Sequence, residues 1–184
     1  MRLVYGGGMG DLPRADRSRA WVWVACAAGL LHAGASLYWA LGGRMLLETV
    51  GQWAVGLAED APLAAGLGLG VVAALKAIAA VVPVAVARGR VGPARFWRAV
   101  SWVGAVVLIV YGAFNTVIAQ AVLAGLVRAD GGYDEAAMIG HAWLWDPLFL
   151  VWGLALAAHL WLSRRPTRRG ATATQYPTGG VPSP

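Results

Sequence analysis

Residues 32–48 read HAGASLYWALGGRMLLE. The residues before them, AWVWVACAAGLL from position 20, are almost uninterrupted hydrocarbon, so one apolar run extends from residue 20 to residue 41. About 20 mostly apolar residues carry a helix across ~30 Å of bilayer hydrocarbon, and this run has that length. His32 then falls near mid-membrane, Gly42 and Gly43 suit the end of a helix, and Arg44 and Glu48 reach the surface. His32, Ser36, Trp39 and Gly43 recur at helical spacing along one face, which is polar at mid-depth and aromatic toward the surface.

Three more runs of this kind follow, at 62–87, 97–126 and 143–162. Runs so long and without alternation are helices, because in lipid every backbone polar group needs an internal partner. The expected fold class is all-α: a polytopic membrane protein whose residues 20–163 form a four-transmembrane-helix bundle. Composition agrees, with 59% hydrophobic and 13% charged residues, ten tryptophans and a single lysine in 184 residues. The third run would measure about 45 Å at 1.5 Å per residue and must tilt or protrude.

The formal charge of +6 is unevenly placed. Arginines cluster at Arg2, Arg14, Arg17 and Arg19, at Arg88, Arg90, Arg95 and Arg98, and at Arg164, Arg165, Arg168 and Arg169. The intervening loops hold only Arg44 and Arg128 against Glu48, Glu59, Asp60, Asp130, Asp134 and Glu135. The positive-inside rule then places both termini and the middle loop in the cytoplasm, for a multi-pass protein of the cell (inner) membrane. The clusters read as topology signals that also meet anionic lipid, and nucleic acid is not an expected partner. The expected partners are the lipid bilayer, a small amphipathic ligand or a membrane-protein partner, and a second copy in a homo-oligomer.

Cys26, the lone cysteine, permits no internal disulfide. The first run is too long for a signal-peptide core and has no polar cleavage region behind it, so it reads as an uncleaved span. Residues 1–19 and 164–184 read as flexible tails, rich in Gly, Pro, Arg and Thr. Between the first two spans, Leu46, Val50, Trp53 and Leu57 make an apolar stripe opposite Glu48 and Gln52, the pattern of a short amphipathic surface helix after the first span. In the second span Gly66 and Gly70 make a GxxxG, which lets a neighbouring backbone approach closely. Pro83 lies about one turn from that span's end. The last span opens HAWLWDP, which reads either as a helix capped by Asp146 with His141–Trp145 as a separate turn, or as one helix kinked at Pro147.

By depth, His32 and Lys76 share the membrane middle, Asn115 lies a little further out, and Arg44, Glu48, His141 and Asp146 sit near the outer surface. A lysine at mid-span costs roughly 2.5–3.5 kcal/mol to insert, so Lys76 needs a partner or water. These seven residues form the candidate polar pocket, open to the outside. Two readings stand side by side: the pocket holds a small amphipathic molecule, or its groups satisfy one another, with Asp146 capping its helix and pairing Arg44 or Lys76. No cofactor is implied, and the histidines at 32, 141 and 159 show no metal-ligand spacing.

HAGASLYWALGG in the first span and WDPLFLVWG in the last resemble the signatures of a family of small four-helix bacterial membrane proteins, domain of unknown function 3995. The matching residues are His32, Trp39, Gly42, Gly43, Trp145, Asp146 and Pro147. The resemblance implies a four-span integral membrane protein and assigns no activity or residue role. The leading expectation is a non-enzymatic small-molecule or lipid-binding, or partner-packing, membrane protein with an outward polar pocket. The alternatives are a membrane-embedded enzyme using Glu48, His141 and Asp146 for proton transfer on an amphipathic substrate, and a proton-coupled carrier using His32 and Lys76 as a dimer.

Overall fold

The structure, a computed structural model, describes residues 13–128 and 131–164. The expected tails at 1–12 and 165–184 lie outside the described residues, as does Asp130. The chain is helical throughout the described part, with α1 at Arg14–Ala40, α2 at Gln52–Asp60, α3 at Pro62–Ala87, α4 at Ala94–Leu123, α5 at Glu135–Gly140 and α6 at Asp146–Leu162. Among the described residues, four helices are long and apolar enough to cross a membrane: α1, α3, α4 and the continuous run Glu135–Leu162. An all-α membrane bundle is therefore the architecture.

The first helix begins at Arg14, six residues before the apolar run. Hydropathy could not see this, because contacts from the end of α6 hold its polar first turns: Arg14 Nε donates to the Leu162 carbonyl at 3.0 Å, and His159 Nδ1 donates to the Ser18 carbonyl at 2.9 Å. Residues 14–19 thus belong to the bundle rather than to a tail.

α1 and α6 form the central pair, with α3 packed along α1 and α4 along α6. The buried core is mostly alanine, with Ala25, Ala28, Ala80, Ala105 and Ala155 around Trp152, Leu156 and Leu160. Large residues point outward instead: Leu31, Val103 and Phe114 are each about 65% exposed. That inversion suits lipid, where association comes from close packing of small side chains rather than from hiding hydrocarbon. A tight seam joins α4 to α6. A Cβ on Gly112 would lie 2.6 Å from the Leu150 amide nitrogen, and one on Gly153 would lie 2.8 Å from Ile109. The GxxxG of α3 meets the end of α1, where a Cβ on Gly66 would sit 3.0 Å from the Ala40 carbonyl and one on Gly70 in ordinary contact at 4.0 Å.

Two local expectations change. The stripe after the first span is not one helix: a 3₁₀ turn at Leu47–Thr49 leads into α2, and Gly51 between them has φ +137°, a conformation that no continuing helix allows. Asp146 is not a cap either. α5 runs into α6 through a π turn at His141–Trp145, and Asp146 itself is helical at φ −76° and ψ −38°. The last span is one helix whose register shifts just before Pro147.

Candidate functional site

The π turn leaves two carbonyls that side chains from other helices satisfy. Pro147 supplies no N–H, so in π register the Ala142 carbonyl, five residues earlier, loses its donor, and Gln120 Nε2 from α4 supplies one at 3.4 Å. The Trp145 carbonyl is taken by His32 Nε2 at 2.9 Å. A carbonyl only accepts, so His32 carries its proton on Nε2. The same register brings His141 and Asp146, five residues apart, to 2.9 Å between Nδ1 and Oδ2. His141 Nε2 donates to the Val50 carbonyl at 3.3 Å. One proton therefore lies between His141 and Asp146, and the pair carries no net charge whichever atom holds it. That neutrality lets a carboxyl group only 1% exposed sit inside the bundle. Its second oxygen, Oδ1, is buried without a partner among the described residues.

The turn after α1 closes over this cluster. Trp145 Nε1 donates to Thr49 Oγ1 at 3.0 Å, and Thr49 Oγ1 donates to the Leu46 carbonyl at 2.6 Å. Gly140 lies so close under the Thr49 carbonyl that a Cβ there would collide with it. Asp134 receives the Gln52 amide at 2.9 Å and the Ala137 amide at 3.1 Å, joining α2 to α5.

Of the seven pocket residues, four are brought into this region. Besides His32, His141 and Asp146, Lys76 donates to Ser36 Oγ at 3.0 Å and lies over the Phe149 ring at 5.4 Å. Phe149 also stacks on His32, with ring centroids 3.8 Å apart. The other three are not gathered in. Arg44 donates to the Ala58 carbonyl at 3.0 Å, Asn115 to the Tyr111 carbonyl of its own helix at 3.0 Å, and Glu48 is exposed. Asp146 pairs with His141 rather than with Arg44 or Lys76, since the π register fixes its direction. The end expected to open outward is thus filled by mutual partners, and Ser36, Thr49, Trp145 and Phe149, which complete the network, carried no charge to mark them.

Open space lies elsewhere. α3 and α4 touch only lightly, and between them is a cleft of about 430 Å³. Its floor is Phe149, Trp152 and Leu156 of α6, and Lys76 lines its wall. Leu75, Ile78, Val100 and Val107 on its two sides are 44–61% exposed, so it opens sideways at membrane depth. Gly104 widens it, for a Cβ there would have nothing within 4 Å. At the arginine-rich end a wider funnel of about 1,030 Å³ is framed by the ends of α1, α3, α4 and α6.

Residues 29–156 match the family model described as Protein of unknown function (DUF3995). The chain belongs to this family. No curated protein and no solved structure matches it. The DUF3995 match takes in the whole polar cluster and every residue that lines the cleft, whereas Arg14, Arg19 and Arg164 of the funnel lie beyond it.

Proposed function

We propose that this protein is a non-enzymatic binding protein of the bacterial inner membrane that holds an amphipathic molecule in the cleft between α3 and α4. Its arginine clusters set both termini in the cytoplasm. The observation that carries the reading is the cleft itself. Its volume of about 430 Å³ falls within the ~300–1,000 Å³ of ordinary ligand sites, and its lining is almost wholly apolar with one cation, Lys76, on the wall. A guest enters from the side, where its hydrocarbon already lies. The proton-transfer alternatives draw on Glu48, which is exposed and bonds neither His141 nor Asp146 among the described residues, and on His32 and Lys76, each of which has a fixed partner.

The test is thermal unfolding of the detergent-purified protein with and without phosphatidylcholine, for wild type and Gly104→Leu. A Cβ at position 104 meets nothing within 4 Å, so the longer side chain has room to extend into the cleft. Lipid is expected to raise the wild-type midpoint and to leave the variant, folded and at least as stable without lipid, where it was. An unshifted wild type, or a variant stabilised to the same degree, would sink the reading.

A further inference from the structure

The cleft and the funnel adjoin. Pro83 of α3 and Ser101 of α4 line both, so the apolar cleft meets the arginine-lined funnel at these two residues. The funnel takes Arg14 and Arg19 from α1, Arg98 from α4, Arg88 and Arg90 from the turn after α3 and Arg164 from just past α6, and no carboxylate is among its lining residues.

The arginines divide by what already holds them. Arg14 and Arg98 donate to the Leu162 and Leu160 carbonyls, each at 3.0 Å, and so satisfy the last turn of α6. Arg88 lies over Trp23 at 4.8 Å, and Arg164 over Trp161 at 4.4 Å and Trp102 at 4.9 Å, which fixes two more guanidinium groups by cation–π contact. Arg19 and Arg90 line the same funnel and make no side-chain hydrogen bond among the described residues. Like charges gathered this closely repel one another, and an anion among them removes that cost. Guanidinium is the group whose planar fork matches a phosphate.

Resting on the cleft-binding reading above, we infer that the occupant is an anionic glycerophospholipid whose phosphate lies in the arginine funnel, before Arg19 and Arg90, and whose acyl chain runs into the cleft between α3 and α4. A zwitterionic lipid fits the cleft equally well but brings a cation into a space that holds six arginines already. A soluble phosphate compound fits the funnel but gains nothing from the cleft. Charge and depth together point to the lipid.

The experiment is native mass spectrometry of the detergent-purified full chain equilibrated with equimolar phosphatidylglycerol and phosphatidylcholine of identical acyl chains. Wild type is expected to retain phosphatidylglycerol several-fold over phosphatidylcholine, a preference that shrinks as salt rises. Arg19→Gln/Arg90→Gln is expected to bring the two lipids to parity, phosphatidylglycerol losing more than phosphatidylcholine, with the unfolding midpoint unchanged. Glycerol phosphate, the headgroup without chains, should not displace the lipid. Equal retention by wild type, an undiminished preference in the double variant, or full displacement by glycerol phosphate overturns the assignment of the headgroup while the cleft stands. Retention of neither lipid by wild type overturns the cleft as well.

Discussion

The two ends of the bundle handle charge in opposite ways. At the end closed by the turn after α1, the ionisable groups inside the bundle meet complements: His141 with Asp146, His32 with a carbonyl, Lys76 with a hydroxyl. At the other end six arginines gather around a space of about 1,030 Å³ with no acid on its lining. Counting polar residues would have chosen the first end as the site. Counting satisfied ones chooses the second, because a group that already has its partner has little left to offer a guest.

That contrast can be broken most forcefully at Asp146. Replacing it with alanine leaves His141 without its counterpart inside the closed end, and breaking such a buried pair costs about 3–5 kcal/mol. Asp146→Ala is expected to unfold far earlier than wild type in a detergent melt, while the fraction that remains folded keeps its lipid. If lipid retention disappears and stability does not change, the closed end is a site after all. A smaller effect is expected at Lys76. Lys76→Met gives up the bond to Ser36 and the contact with Phe149 but also takes a charge out of the span, and single polar contacts between membrane helices average ~0.6 kcal/mol. Its unfolding free energy should stay within ~1 kcal/mol of wild type, and a larger loss would mean that Lys76 supports more than one partner. Least of all is expected at the exposed Glu48: Glu48→Gln should move neither the melting midpoint nor lipid retention. A change in either would return Glu48 to the site from which its position removes it.

The four membrane spans were legible in the sequence because hydrocarbon content alone determines them, and the family resemblance at HAGASLYWALGG and WDPLFLVWG was carried by residues inside two of them. The pairing of Asp146 was not legible. Side chains five apart do not align on an α-helix, and only the π turn just before Pro147 brings His141 round to Asp146. Gly51 could have warned that the surface stripe was interrupted, since a glycine between two apolar segments is an ordinary place for a break. The cleft is harder still, because it records a contact that α3 and α4 do not make. Its one sequence signal is Gly104, a small residue in a long helix with no neighbour to accommodate.

If the cleft holds lipid as proposed, its sideways opening determines how its occupancy is set. A guest reaches it by diffusing within one leaflet and never crosses water, so the governing quantity is a mole fraction among lipids rather than an aqueous concentration. Every competitor is a neighbouring lipid already at the door, and total affinity matters less than the ratio between headgroups. Such a protein would track the composition of its membrane continuously, filling and emptying as the proportion of acidic lipid rises and falls.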